Sequence, residues 1–596
     1  MLEIREILET LYEYRDDETQ LEIEKAKFAK KIKALGISKS DFKNIWLAFV
    51  REKTPPEKIV YRTTEIEAPK GYASLYTNSW ETDGKSIYRM TEFGRAEASC
   101  HPILPVERLT NIDTEMQKLK VAFKSNSHWQ EVIADRSVFT SANSIMQLSN
   151  NGVRMSQDTA KDLVRYLYEI ERDNDNIIPY RQSIGRMGWI KNHGFSPYDN
   201  DFVFDGESSF KQVFEAMQTN GKRQKWIDCM KEIRTNGVTA RILLASSFAS
   251  ILIEPLKKLP FVVHLWGQTG GGKTVSLLMA ASVWGNPNEG YLMRNFNSTQ
   301  VGLELTATVF NSIPLCINEL QITKETNMDK QIYQLCEGSG RTRGNKSLGV
   351  SRVGTWHNCM LTNGEQPITV NNSGGGVVNR IIEVECKEDI FQDPVKVSNI
   401  VRDNYGFAGK EFVEYVKNNI DEIKTKYDKI YAKLAESDAA DKQIMAAALI
   451  VTADLFATKL FFNDKNNLRI SEIVGFLSSK SQVSATERAY DFLKGWVSMN
   501  HQRFEEVEII ERWGRFSESK DTVYIVSSKF EEILRKEGYH AKPVLSWLAE
   551  QGLIEWSRPG YKKNYRISPG GSSITCIALR LKQDFEPVEI DDLPFK

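Results

Sequence analysis

The first residues of the chain place apolar side chains at helical spacing among many charges. Ile4, Leu8 and Leu11 recur every three or four residues, which is the period of a helix that buries one face. Pro55 and the proline after it cannot continue a helix, so they indicate a linker. We predict a small helical domain over residues 1–56.

A strand pattern follows this linker. Leu119, Val121 and Phe123 alternate with lysines, and a second apolar run comes soon after them, which predicts a hairpin. Further along, Ser156 can cap an amphipathic helix. We predict a mixed α+β domain over residues 57–200.

In the middle of the chain, short apolar runs alternate with helical segments. This alternation is typical of a parallel sheet flanked by helices. The predicted fold class is therefore multidomain α/β. We expect this core to span residues 201–400, a helical region to span 401–500, and a small α+β domain to span 501–596.

Composition narrows the class of protein. The 596 residues correspond to about four domains. Because 78 basic residues balance 79 acidic ones, any nucleic acid must be bound by a local basic patch. The seven cysteines form no C-x-x-C pair and the amino terminus is acidic, so we expect a cytoplasmic protein. The longest apolar stretch, 242–256, is too short to cross a bilayer, and no membrane partner is expected.

A glycine-rich motif follows the apolar run 261–266 and satisfies G-x-x-x-x-G-K-[ST]. Its residues are Gly267, Gln268, Thr269, Gly270, Gly271, Gly272, Lys273 and Thr274. In such a loop, backbone N–H groups surround phosphate, the lysine adds positive charge, and the threonine can hold a metal ion. We predict that this loop binds ATP and Mg²⁺. A chance match is the alternative, but a strand and a helix flank the motif as this chemistry requires.

A second apolar run, 313–317, leads into Asn318 and Glu319. We interpret it as a Walker B strand, in which Glu319 is the candidate base that activates water. Asn318 stands where an aspartate is usual, so it retains an oxygen toward the metal but loses a negative charge. The alternative is an ordinary core strand that ends in exposed polar residues.

Two later residues fit a ring-forming ATPase by their order. Asn363 follows the apolar strand 356–361 and could polarise water or sense the γ-phosphate, and Arg380 precedes the run 381–385 and could reach a neighbouring subunit's nucleotide. A capping asparagine and a solvated arginine beside an edge strand remain the alternatives.

A basic segment lies between these motifs. No acidic residue occurs from 338 to 364, whereas four cations do, namely Arg341, Arg343, Lys346 and Arg352. A glycine-rich hairpin with this charge suits contact with a DNA backbone. A solvated basic loop is the alternative.

The carboxyl-terminal region has the pattern of a helix-turn-helix with a wing. Two helices, 528–536 and 542–551, precede a hairpin whose strands, 553–556 and 564–567, flank Pro559, and Lys562 and Lys563 lie near its tip. We predict that these lysines bind DNA, although a winged fold can also serve protein contacts.

Together, the motifs resemble those of AAA+ ATPases: the P-loop, the segment 297–303, the strand 315–319, residues 362–365 and Arg380. Ahead of them, Pro105-Val106, Trp129, Arg136 and Gly188-Trp189 resemble a phage and mobile-element ATPase family first catalogued as a domain of unknown function. That family includes minichromosome-maintenance-like helicases of staphylococcal cassette chromosomes and pathogenicity islands. The resemblance covers about 100–420, and more weakly a carboxyl-terminal winged helix.

This resemblance implies a hexameric helicase that translocates on single-stranded DNA and unwinds forked DNA during replication of a mobile element. It implies that Lys273 and Thr274 bind nucleotide and metal, Glu319 activates water, Asn363 is sensor 1, and Arg380 is the trans finger. The segment 341–346 falls on the pre-sensor hairpin, and other replication proteins of the element are possible partners. An ATP-gated origin-binding initiator without processive unwinding is the alternative that Asn318 favours. A packaging or transposition motor is less favoured.

Overall fold

The computed structural model divides into two compact units, Met1–Ser183 and Ile184–Lys596, which are described separately. The residues that the structure describes are 2–15, 17–53, 64–91, 94–199, 202–295, 299–319, 328–344, 350–351, 353–370, 373–505 and 511–581.

The first unit begins with three helices and continues as an α+β region. Its helices are Leu2–Glu13, Glu18–Ala34, Lys39–Lys53, Ala142–Ile145 and Gln157–Asp173. Its strands are Thr64–Ile66, Leu75–Thr77, Glu81–Thr82, Ile87–Thr91, Gly94–Ser99, Ile103–Asn111, Gln117–Ser125, His128–Asp135 and Tyr180–Ile184, the last of which ends at the unit boundary.

Both patterns predicted for this unit are confirmed. The three amino-terminal helices share a small core that contains Leu11 and Trp46. The predicted hairpin pairs Gln117–Ser125 with His128–Asp135 in antiparallel register, with Val121 fully buried. Ser156 caps the helix Gln157–Asp173, as its position before an amphipathic run predicts.

The second unit has fifteen α-helices among its described residues, and they surround a sheet and a smaller carboxyl-terminal fold. These helices are Lys211–Glu215, Arg223–Asn236, Val238–Ala249, Lys273–Ser282, Gln300–Phe310, Met328–Glu337, Gly375–Val378, Pro394–Asp403, Phe407–Leu434, Asp441–Ala457, Ile470–Val474, Lys480–Val483, Ala485–Met499, Ser527–Lys536 and Ala541–Glu550. Its strands are Gly188–Ile190, Gly194–Ser196, Val203–Phe204, Phe261–Trp266, Met293–Asn295, Leu315–Asn318, Arg343–Gly344, Val350–Ser351, Cys359–Gly364, Ile381–Glu385, Gly514–Phe516, Thr522–Val526, Ile554–Glu555, Lys563–Tyr565 and Ile574–Arg580.

Five parallel strands form the predicted central sheet. Their order is Met293–Asn295, Leu315–Asn318, Cys359–Gly364, Phe261–Trp266 and Ile381–Glu385. We call the second, third and fourth of these the Walker B strand, the sensor strand and the P-loop strand. The P-loop strand comes first in the chain but lies fourth in the sheet. The next strand in the chain lies at the far edge, and the following two fill the space between them, so the direction in which strands are added changes beside the P-loop strand. In open α/β sheets, ligands bind at this point, outside the carboxyl ends of the strands.

The helices after residue 400 share the core of this sheet. The helix Asp441–Ala457 is buried along most of its length, and so is the helix Val238–Ala249. The segment Asp441–Phe462 is long and apolar enough to cross a membrane, but 78% of its apolar window is buried inside the fold. Packing in the core is therefore enough to explain its composition.

A short hairpin that we grouped with residues 57–200 packs instead in the second unit. It pairs Gly188–Ile190 with Gly194–Ser196. Phe195 is fully buried and stacks on Trp284, at 6.4 Å between ring centroids. Trp284 follows the helix Lys273–Ser282, which we call the P-loop helix, and this aromatic contact makes the hairpin part of the core of the second unit.

The carboxyl-terminal fold has its own core, which includes Leu493 from the helix Ala485–Met499. The two predicted wing strands are present, but Ile554–Glu555 and Lys563–Tyr565 both pair with Ile574–Arg580. Our prediction of a simple hairpin between them was wrong in this respect. Near the tip, the two arms are joined by an isolated β-bridge between Arg558 and Lys562 and by a hydrogen bond from the Ser557 N–H to the Lys562 carbonyl oxygen at 3.1 Å.

A buried ion pair joins the helix Arg223–Asn236 to the helix Asp441–Ala457. Arg234 donates to Asp454 at 2.5 Å and to Asp464 at 3.0 Å, and the side chains of Arg234 and Asp454 are each 1% exposed. Removal of one partner from such a pair leaves a buried charge without compensation.

We predict that Arg234→Met lowers the free energy of unfolding of this unit by about 3–5 kcal/mol, because Asp454 loses its counter-ion. Urea unfolding followed by tryptophan fluorescence measures the change. The control is Arg223→Met, which breaks an ion pair with Glu411 whose side chains are 42% and 41% exposed. It should cost at most about 1 kcal/mol. Equal losses in the two variants would contradict the prediction.

Candidate functional site

The P-loop turns directly after the P-loop strand, and geometry requires glycine at two of its positions. Gly267 has φ 143° and Gly272 has φ 85°. A Cβ at Gly272 would lie 2.9 Å from the ring of Phe391, and one at Gly267 would lie 2.8 Å from the carbonyl oxygen of Cys386. The loop can therefore pack against the segment that follows the strand Ile381–Glu385 only because both positions lack side chains.

The helix Lys273–Ser282 begins where the loop ends, with Gly272 as its N-cap. Its first N–H groups face the loop, which is the arrangement found at helix N-termini that bind phosphate in known proteins. Lys273 Nζ donates to the carbonyl oxygens of Gly267 and Gln268, at 2.8 and 2.5 Å. These bonds hold the ammonium group inside the loop to which it belongs.

Three side chains from three elements meet beside this loop. Thr274 donates from Oγ1 to Asn318 Oδ1 at 3.3 Å. Asn363 donates from Nδ2 to the same Asn318 oxygen at 3.1 Å and to Thr274 Oγ1 at 3.4 Å. Asn318 and Asn363 are 5% and 3% exposed, whereas Thr274 is exposed. The structure thus brings the predicted metal residues and the predicted sensor into one hydrogen-bonded group.

Glu319 lies at the end of the Walker B strand in an unusual backbone conformation. Its φ is 54°, in the left-handed region that residues with a Cβ rarely adopt. Asn363 Oδ1 accepts a hydrogen bond from the Glu319 backbone N–H at 2.7 Å. Asn363 therefore supports the turn that presents the exposed Glu319 side chain at the sheet edge. Strained backbone of this kind is common at functional sites.

A cavity of about 880 Å³ lies beside the P-loop. Lys273, Thr274, Glu319 and Asn363 all contribute to its wall. On the rim, Thr269 donates to Glu365 at 2.9 Å, which links the P-loop to the segment after the sensor strand. No role was predicted for Glu365, although it follows Asn363 by two residues and therefore lies at the same sheet edge.

His264 is a further residue to which the sequence analysis gave no role. It is buried within the P-loop strand, where its ring contacts Thr362 Oγ1 at 2.8 Å and the Gln366 carbonyl oxygen at 2.9 Å. Desolvation by burial lowers its pKa to about 4, so the ring is neutral at physiological pH. It connects the P-loop strand to both ends of the segment that carries Asn363. The sequence does contain a feature that could have identified His264, since it is the only polar ionisable residue in the apolar run 261–266.

The donor set fits Mg²⁺ better than a transition metal. Thr274, Asn318 and Glu319 offer hydroxyl, amide and carboxylate oxygens, and Mg²⁺ commonly takes one or two protein oxygens together with substrate phosphates and water. Within the described ranges, no group of three or more histidine, cysteine, aspartate or glutamate side chains could hold a metal ion.

Arg380 does not join this cavity. Its side chain is 5% exposed, pairs with Glu337, and lies over the ring of Tyr333 at 4.2 Å from the centroid. It also donates to the Gly376 carbonyl oxygen at 2.5 Å. The guanidinium group is therefore held inside its own chain.

The predicted basic hairpin forms between the Walker B and sensor strands. Arg343 pairs with Ser351, and Ser339 pairs with Thr355, both in antiparallel register. Arg341 is exposed beside the base of this hairpin. Lys346 and Arg352 lie outside the described residues.

The two wing lysines are engaged by acidic neighbours. Lys562 pairs with Glu531 at 3.4 Å, and Lys563 pairs with Glu555 at 2.9 Å. Beside them, Trp556 is 49% exposed and contacts Tyr561 edge to face. The wing tip therefore carries less free positive charge than its sequence indicates.

The strain at Glu319 can be measured by comparing two variants that both lack the carboxylate. We predict that Glu319→Gly is more stable than Glu319→Ala by about 1 kcal/mol, because only glycine adopts a positive φ without steric cost. Urea unfolding of the two variants measures the difference. Equal stability would show that this backbone conformation is not maintained in solution.

Parts of the chain are similar to known proteins in sequence, and its fold is similar to that of a solved structure. Residues 75–355 match a model described as a domain of unknown function, DUF927, and residues 484–584 match a Cch helix turn helix domain. A solved structure described as the active helicase Cch of SCCmec type IV covers 85% of this chain and 98% of its own, with 18% identity and a TM-score of 0.64. No curated protein sequence matches the chain. The resemblance to mobile-element helicases of the staphylococcal cassette chromosome type is thus confirmed, and the chain shares their fold.

Proposed function

We propose that this protein is an ATP-driven DNA helicase that works as a hexameric ring on single-stranded and forked DNA in the replication of a mobile genetic element. The observation that carries the proposal is the hydrogen-bonded group of Thr274, Asn318 and Asn363 beside the P-loop. The fold shared with a solved helicase and the match to a helix-turn-helix domain support it.

In this proposal, the P-loop N–H groups and Lys273 bind the phosphates of ATP. Thr274 and Asn318 would hold Mg²⁺, which would supply positive charge to the phosphate oxygens. Glu319 orients a water molecule and takes its proton as the oxygen attacks the γ-phosphorus and the bond to the leaving ADP oxygen breaks. Asn363 keeps Glu319 in place through the hydrogen bond to its N–H.

The hairpin is well placed to respond to this chemistry. Its second arm leads through Trp356 into the sensor strand, and Trp356 is fully buried and donates to the Leu335 carbonyl oxygen at 2.7 Å. Only a few residues separate this anchor from Asn363. A shift of Asn363 between nucleotide states would therefore be passed along a rigid strand to the hairpin and to the DNA in contact with it.

The alternative function is an ATP-gated initiator that binds or melts an origin without processive unwinding. The amide at position 318 favours it, because the strand end has lost one of the charges that usually hold Mg²⁺. Turnover of ATP that rises on addition of single-stranded DNA would separate the helicase from the initiator.

We predict that Lys273→Ala abolishes unwinding of forked DNA, because the phosphates lose their cation. Strand displacement measures this effect. The matched control is Lys387→Ala, which removes a lysine that is 76% exposed and pairs with Glu385. Unwinding at the wild-type rate by Lys273→Ala would disprove the proposal.

We further predict that Glu319→Gln retains ATP binding and loses turnover, because an amide cannot accept the proton from water. Phosphate release measures the turnover.

We also predict that Arg341→Ala weakens binding of single-stranded DNA uniformly across sequences. Each phosphate contact removed should reduce the slope of log affinity against log salt by about 0.7. Fluorescence anisotropy at several salt concentrations measures the slope. Arg402→Ala, which removes an exposed arginine from the helix Pro394–Asp403, outside the predicted helix-turn-helix, is the control. An unchanged slope would remove Arg341 from the DNA-binding surface.

A further inference from the structure

Asn318 makes one contact that the proposed function does not use. Its Nδ2 donates to the Glu289 Oε1 carboxylate oxygen at 3.3 Å. Glu289 comes from a different part of the chain, in the loop that follows the P-loop helix and precedes the strand Met293–Asn295. The carboxylate therefore approaches the position that has lost its acid.

The backbone around Glu289 is fixed by its own turn. Tyr291 N–H donates to the Asn288 carbonyl oxygen at 3.2 Å, and Gly290 N–H donates to the Met293 carbonyl oxygen at 3.1 Å. Glu289 also forms a parallel bridge with Met293, which leads directly into the strand paired with the Walker B strand. The approach of Glu289 to Asn318 is thus set by the fold, although the residue is exposed.

This contact determines which way the Asn318 amide faces. Its Oδ1 accepts from Thr274 and Asn363, whereas its Nδ2 faces the carboxylate. If the amide turned over, its oxygen would meet the Glu289 carboxylate and its NH₂ group would meet the NH₂ group of Asn363. Both contacts would be repulsive, so Glu289 keeps the oxygen directed toward the Thr274 hydroxyl.

We propose that Glu289 supplies the carboxylate charge that position 318 has lost, and that it acts with Asn318 as one unit toward Mg²⁺. The inference rests on the proposed function, because it concerns the same ATP site. The two side chains share the roles that a single aspartate would have at this position. Asn318 contributes the oxygen near Thr274, and Glu289 contributes the negative charge and orients that oxygen. Partners that orient a metal ligand in this way commonly change metal affinity by 10–100-fold when they are removed.

Mg²⁺ titration of the binding of a fluorescent, non-hydrolysable ATP analogue tests the proposal without turnover. Glu289→Gln should raise the Mg²⁺ concentration for half-saturation at least tenfold. In EDTA its affinity for the analogue should be unchanged or higher, because a negative charge near the phosphates has been removed. The double variant Glu289→Gln with Asn318→Asp should return to within about threefold of the wild-type Mg²⁺ requirement, because the charge is restored on the neighbouring side chain.

Glu436→Gln is the matched control, since it removes an exposed carboxylate from the same unit, after the helix Phe407–Leu434 and away from the P-loop segment. A Glu289→Gln variant that behaves like this control would overturn the inference. The inference would also be overturned if Glu289→Gln weakened binding of the analogue equally with Mg²⁺ and in EDTA. That result would mean that Glu289 has only a structural role. If the wild-type chain binds no nucleotide, the proposed function fails. If the wild type binds the analogue and Glu289→Gln has the same Mg²⁺ requirement, only the inference about Glu289 fails.

Discussion

The parallel register between the Walker B and sensor strands is the constraint on which the rest of the site depends. Ile317 is paired with Thr362, so the next residue of each strand, Asn318 and Asn363, emerges at the same edge of the sheet. The P-loop strand lies on the other side of the sensor strand, with Leu265 paired with Asn363. Side chains separated by about a hundred residues therefore meet within hydrogen-bonding distance. A slip by one residue would turn Asn363 to the opposite face and separate it from Glu319.

That register is held by packing on both faces of the sheet, and part of the packing comes from the helices after residue 400. Gln443, which is 1% exposed, donates to the carbonyl oxygens of Val378 and Ile381, at 2.8 and 2.7 Å. Its helix also carries Asp454, the partner of Arg234. The helical region is thus part of the scaffold that positions the last strand beside the P-loop, because it shares one core with the sheet.

The sequence predicted those parts of the site that depend on local pattern. A P-loop motif specifies its own turn, and apolar runs that end in polar residues predict where the ends of parallel strands meet. The positive φ of Glu319 and the contact of Glu289 with Asn318 could not be predicted, since both arise from residues that only the fold brings together. The ion pair of the wing was unpredictable for the same reason. Lys563 was predicted to bind DNA, and the folded chain places Glu555 within 2.9 Å of it.

The burial of Arg380 places a condition on the proposed ring. Its Nε has no hydrogen-bond partner among the described residues, although the side chain is buried, and Glu337 is its counter-ion. A trans finger would have to exchange Glu337 for the nucleotide of the neighbouring subunit, and a buried group with one unsatisfied donor loses less in that exchange than a fully bonded one. Glu337 is the last residue of the helix Met328–Glu337, directly before the basic hairpin begins. In the proposed ring, release of Arg380 would remove this contact at the base of the hairpin that we propose binds DNA.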